Sequence, residues 1–129
     1  MTTQMLTQAQ DVANQLVALC REGKDAEAMQ TLYSQDIISI ECMELNGSYE
    51  SRGIEAVQAK WATWNGMHEI HSVKIEGPFV NQKQFAVKSV YDVTDTQTGQ
   101  RYTSMEEIAV YDVANGKITK EVFYSLQCK

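Results

Sequence analysis

Basic residues are scarce in this 129-residue chain: 11 lysines and arginines stand against 17 aspartates and glutamates, a formal charge of −6. That balance, with a pI near 4.8, argues against nucleic acid and anionic membrane surfaces as partners. Long apolar runs are missing too, and none approaches the roughly 18–20 residues that a membrane span needs. The start, "MTTQMLTQAQ", has no basic segment followed by an apolar one, so no signal peptide is expected. Cysteine is sparse. Cys20, Cys42 and Cys128 cannot all pair with one another and show no Cys-x-x-Cys spacing, so reduced thiols in a cytoplasmic protein are the expectation. The two histidines, His68 and His71, lie far from any cysteine pair, which speaks against a zinc or iron site. No glycine-rich phosphate loop, Gly-x-Ser-x-Gly elbow or His-Glu-x-x-His motif occurs, and no metal or cofactor is expected. Asn46-Gly47-Ser48 matches a glycosylation acceptor and reads as a turn.

What is present is ordinary globular material, with 43% hydrophobic and 22% charged residues and a length suited to one domain, residues 1–129. Leu6, Ala9, Ala13, Leu16, Val17 and Cys20 recur at spacings of three and four, which predicts a helix over 4–22 that stops at Gly23. Asp25 is placed to cap a second helix carrying Ala28, Met29, Leu32 and Tyr33. "DIISIECMEL" reads as a strand, "NGSYESRG" as a loop, and a third helix runs from Gly53 to about Asn65 with Lys60, Trp61 and Trp64. The period then changes to two. "EIHSVKIEGPFV", "QFAVKSVYDVTD", "RYTSMEEIAVYDV" and "KITKEVFYSL" read as four long strands joined by hairpin turns. Gly77-Pro78, the only proline, is expected to kink or bulge its strand. Helices ahead of an antiparallel meander indicate an α+β protein, the helices lying on one face of a curved sheet.

Alternation along the strands divides the side chains into two faces. An inward Glu41 brings Ile37 and Ser39 with it. An inward Glu107 brings Thr103, Met105, Ala109 and Tyr111. An inward Glu121 goes with Phe123, and Phe85, Val87, Ser89, Tyr91 and Val93 share one face of their strand. Acids, hydroxyls and aromatics on one wall are the lining of a ligand pocket. Glu106 then points outward, among Ile38, Ile40, Ala86, Val90, Ile108, Val110, Val122 and Tyr124. So apolar an outer face is usually covered, and a second copy of the chain is the simplest cover.

"LCREGKDAEAMQTLYSQDIISIE", "RGIEAVQAKWATW", "HEIHSVKIEGPFV" and "MEEIAVYDVANGKITKEVFYS" together resemble the SnoaL-like branch of the nuclear transport factor 2-like superfamily. That superfamily also holds ketosteroid isomerase, scytalone dehydratase and polyketide cyclases, and the nearest resemblance is to small bacterial members of unknown function. The resemblance implies a cone: a curved antiparallel sheet wrapped around three helices, open at one end, with homodimers common. Carried over by position, the base of ketosteroid isomerase falls on Glu41, its protonated acid on Glu107 and its oxyanion tyrosine on or near Leu16. Leucine cannot donate, so steroid isomerisation itself is not implied. The resemblance also places His71 near the cavity.

Converging on one apolar cavity, Glu41, Glu107 and Glu121 would raise one another's pKa, so that one is protonated near neutrality. A protonated acid can donate to a ligand carbonyl while an ionised neighbour takes a proton from the adjacent carbon. Glu41 is the expected base, with Glu107 or Glu121 as acid. Ser39, Lys60, Trp64, Tyr91, Met105, Tyr111 and Phe123 are the expected lining. The expected partner is an apolar or carbonyl-bearing small molecule, handled by an isomerase, cyclase or dehydratase. The alternative is a non-catalytic binding or dimeric assembly module in which His71 and Lys60 neutralise structural acids. Substrate identity is not legible in these residues.

Overall fold

A computed structural model describes residues 3–125; Leu126, Cys128 and the Leu6 side chain lie outside the described residues. Helices α1 (Thr3–Arg21) and α2 (Asp25–Leu32) lead into strands β1 (Tyr33–Leu45) and β2 (Ser48–Arg52). Helix α3 (Ile54–Gly66) follows, and then strands β3 (His68–Val80), β4 (Gln84–Asp95), β5 (Arg101–Ala114) and β6 (Lys117–Ser125). The strands form one curled, unclosed six-stranded sheet in the order β2-β1-β6-β5-β4-β3, an α+β cone around the three helices. The sheet is not wholly antiparallel, because β1 pairs in parallel with β6.

The meander lies where alternation puts it, and β4 has the expected bounds. "SYESR", expected as loop, is instead a short edge strand on β1. Asn46 and Gly47 both take positive φ, 54° and 83°, and Leu45 pairs with Ser48, so a two-residue Asn-Gly turn folds the chain back on itself. Asn115 and Gly116 repeat the device between β5 and β6. Tyr33, expected on a helix, opens β1. At Gly77 the β3–β4 register shifts, as expected beside Pro78. A Cβ at Gly77 would sit 3.2 Å from the Ala86 carbonyl oxygen, and its φ of 114° also favours glycine. Cys20 is a free thiol, whereas Cys42 is disulfide-bonded, so the expectation of reduced thiols fails for Cys42.

The inner sheet face and the helices share one core. Ala9, Ala13, Leu16 and Val17 of α1 bury against the sheet, and the Arg21 guanidinium donates to the Ile75 carbonyl at 3.0 Å. Phe85 and Tyr111, expected on the inward face, stack with centroids 4.7 Å apart. No helix among the described residues is long and apolar enough to cross a membrane.

Phe85 is 1% exposed and packs in the core against Tyr111. Phe85→Ala is expected to lower the unfolding free energy by about 3–5 kcal/mol in urea titrations, through lost burial and the void it leaves. Glu106→Ala, outside the core, is expected to change it by less than about 0.5 kcal/mol. Equal effects would mean that the two faces have been assigned wrongly.

Candidate functional site

The helices do not fill the cup. A cavity of about 310 Å³ remains between them and the inner faces of β1, β3, β4, β5 and β6. Lys60, Trp64, Tyr91, Tyr111 and Phe123, all expected as lining, border it together with Glu41, Glu107 and Glu121. Because Trp64, Tyr91 and Phe123 stand along the wall, the interior stays open. Leu16 also lines it, from α1.

The deepest acid is Glu121, 2% exposed, held from three sides. Tyr33 donates its hydroxyl to Oε2 at 2.5 Å and Ser39 donates to Oε1 at 2.8 Å. The Lys60 ammonium lies 3.6 Å from Oε1. Register explains the meeting: Ser39 on β1 and Tyr111 on β5 both pair with Glu121 on β6, and one face results. Lys60 is itself 4% exposed, reaches from α3 to bond Glu41, and sits 4.4 Å above the Phe123 ring. Burial pushes Glu121 above the ordinary carboxylate range, against the opposing pull of Lys60, Tyr33 and Ser39. Tyr33 and Tyr111 are pushed up in turn, first by burial and then by the Glu121 charge.

Glu107 is different. Its carboxyl borders the cavity and, among the described residues, no protein group hydrogen-bonds to it or pairs with it. Burial first, and then the charge of Glu41, raises it from 4.5 to about 8, with Lys60 pulling the other way. At pH 7 it is mostly the neutral acid. Its neighbour Glu106 faces outward and lies 3.6 Å from Lys88, so the two adjacent glutamates serve opposite faces.

Other expected positions fall elsewhere. Ser39 is buried behind Glu121 and does not border the cavity, and Met105 does not reach it either. His71 is exposed on β3, with Nε2 2.7 Å from the Thr94 hydroxyl, so it neither lines the cavity nor neutralises an acid there. A shift in the β3–β4 register between Ile70 and Ser72 lies at this point of the strand. His68 is half-buried and stacks on Trp64 with centroids 4.2 Å apart. Asp25 was missed as a site residue. Lys24 occupies the N-cap position of α2 without a side-chain cap bond. The Asp25 carboxyl instead borders the cavity and accepts from the Cys20 thiol and the Trp61 indole, its pKa raised by burial. Asp25 opens α2 just beyond the turn that ends α1, and no spacing rule reveals a side chain turned back under a helix start. Among the described residues no cluster of three or more histidine, cysteine, aspartate or glutamate side chains could hold a metal ion.

Linkage gives the sign for Glu107. Its folded pKa, about 8, lies above the ordinary 4.5, so folding favours the protonated form. That stabilisation is complete below about pH 4.5 and is lost as pH rises to about 8. Glu107→Gln is therefore expected to flatten the decline in chemical-denaturation stability across this window and to be the more stable protein at pH 8. Parallel profiles for the two proteins would show that Glu107 is already ionised at neutrality.

A SnoaL-like domain model matches residues 6–125. A Mesorhizobium loti crystal structure, provisionally described as a SnoaL-like polyketide cyclase and as a carbohydrate phosphatase, is 40% identical with a TM-score of 0.83, over 89% of this chain and 97% of that one. A Xanthomonas campestris protein of unknown function with a cystatin-like fold superposes at a TM-score of 0.74 and 16% identity, covering 93% and 92% of the two chains. A Bacillus subtilis protein provisionally described as an isomerase gives 0.69 and 16%, over 97% and 89%. The last two establish the fold alone. No curated protein matches the chain in sequence. With the cone, the open interior and a family match over nearly its whole length, this chain belongs to the SnoaL-like domain family.

Proposed function

We propose that the chain acts as a single SnoaL-like domain that binds an apolar, carbonyl-bearing small molecule in this cavity. The reaction is a cofactor-independent isomerisation, cyclisation or dehydration run by the pocket carboxylates. The observation that carries the reading is the Glu107 carboxyl: it borders an open, largely apolar space, has no hydrogen-bonding partner among the described residues, and has its pKa pushed up to about 8 by burial and the Glu41 charge. Such a group donates to a ligand carbonyl and strengthens that bond as the oxygen gains charge. Glu121 is less suited to be the acid, since both its oxygens already accept from protein donors. Glu41, ion-paired with Lys60 at the edge of the cavity, is the proton acceptor. The provisional description of the 40% identical Mesorhizobium loti protein as a polyketide cyclase supports the cyclisation among these reactions.

A second reading has its own support. Lys60, Tyr33 and Ser39 satisfy Glu41 and Glu121 so fully that these acids also suit a non-catalytic binding module. Deuterium uptake at the carbon beside the carbonyl of 2-decalone, followed by NMR, separates the two. An enzyme accelerates uptake over buffer, and Glu107→Leu or Glu41→Gln removes about a hundredfold or more of that acceleration. If 2-decalone quenches tryptophan fluorescence yet exchanges no faster than in buffer, the binding module is the correct reading.

We also propose a homodimer through the outer sheet face. Ile108 and Tyr124 pair across β5 and β6 and are 45% and 58% exposed, beside partly exposed Val90, Val110 and Val122. Light scattering is expected to give twice the chain mass, and Ile108→Glu with Tyr124→Glu to give a folded monomer. A wild-type monomer at high concentration would remove this proposal.

A further inference from the structure

The charges around the cavity do not balance. Asp25, Glu41, Glu107 and Glu121 border it, and Lys60 is the one cationic side chain among its described lining residues, which include no arginine or histidine. That ammonium is already shared between Glu41 and Glu121. An entering anion would meet ionised carboxylates, no free cation and a low-dielectric wall, which makes its desolvation costly. An entering cation would meet the opposite field. Trp61, Trp64 and Tyr91 add aromatic surface on which an ammonium can rest. Glu107, half-buried, bordering the space and without a hydrogen-bonding partner among the described residues, is free to become its counter-ion.

We propose that this cavity selects its ligands by charge, taking uncharged apolar molecules, holding those that carry a basic amine most tightly, and rejecting carboxylates, phosphates and sulfates. The inference rests on the cavity being a ligand site, as in the preceding section, and adds the class of molecule that it admits. Glu107 serves both permitted kinds in its two states, as a neutral acid donating to a carbonyl and as a carboxylate pairing with an ammonium. The ionisable groups facing it are Glu41 from β1, Asp25 from α2, Lys60 from α3, Tyr91 from β4, Tyr111 on its own strand and Glu121 from β6. Burial keeps the two phenols neutral, so the field at Glu107 comes from the carboxyls of Asp25, Glu41 and Glu121 set against the single ammonium of Lys60.

Trp61 and Trp64 are the only tryptophans and both border the cavity, so intrinsic fluorescence reports occupancy. Four compact, ultraviolet-transparent probes suffice: 1-adamantylmethylamine, 1-adamantanemethanol, 1-adamantanecarboxylate and the fixed cation 1-adamantyltrimethylammonium. At pH 7 the amine is expected to bind tightest and the carboxylate at least about tenfold more weakly than the alcohol. From pH 6.5 to 9 the fixed cation is expected to gain several-fold over the alcohol as Glu107 loses its proton, and Glu107→Gln to abolish that gain. A carboxylate that binds as well as the amine overturns the proposal, as does a wild-type cation-to-alcohol ratio that ignores pH. If no probe binds at millimolar concentration, the cavity is no ligand site and the functional reading falls with this one. Binding in the wrong order sinks the charge selection alone.

Discussion

Lys60 carries one positive charge into an interior where Glu41 and Glu121 would otherwise confront each other uncompensated, and the shape of the cavity depends on that arrangement. A buried carboxylate without a partner costs several kcal/mol, and two facing each other cost more. The ammonium sits between them, bonded to Glu41 and 3.6 Å from Glu121, with the Phe123 ring beneath it. It joins α3 to β1 and β6, while Tyr33 and Ser39 close the remaining valences of Glu121. No buried side-chain nitrogen or oxygen among the described residues lacks a partner. The polar floor of the cup is a satisfied network that fixes where helix and sheet meet.

That floor explains how an apolar cup stays hollow. Satisfied polar groups at the base gain nothing by collapsing inward, and the aromatic side chains above them are held by neighbours of their own. Phe85 stacks on Tyr111, and Trp64 lies between His68 at 4.2 Å and Tyr91 at 5.5 Å. A dispersion-held aromatic wall on a hydrogen-bonded floor is rigid enough to bound about 310 Å³ without filling it.

Much of this was legible in the sequence, for a simple reason. A strand's period of two forces alternate side chains apart, so fixing Glu107 inward fixed Ala109 and Tyr111 as well, and all three lie on the cavity side. The same parity sent Glu106, Ile108 and Tyr124 outward. Parity gives a face and not a height. Met105 and Ser39 have the correct face and still miss the cavity, one beyond it and one behind Glu121. His71, placed near the cavity by resemblance and not by parity, stands exposed where the β3–β4 pairing shifts between Ile70 and Ser72. The missed strand β2 had a visible cue in Asn46-Gly47, the pair that turns two strands back on each other. Tyr33 and Asp25 had none, because both lie at helix ends, where three residues per side chain face no longer predicts direction.

The network also accounts for the separateness of Glu107. Two of the three sheet acids are bound to protein donors and cannot turn toward a ligand without leaving those donors unpaired. Glu107 pairs across the sheet with Ser89 and Ser125, and the Ser125 hydroxyl donates to the Glu106 carbonyl. Freedom from partners and burial act together. The first leaves the carboxyl available, and the second, with the Glu41 charge behind it, pushes its pKa up to about 8. A structural acid would have been given a donor, as Glu121 was given three. An acid left bare at the edge of an open apolar space takes its missing partner from whatever enters that space.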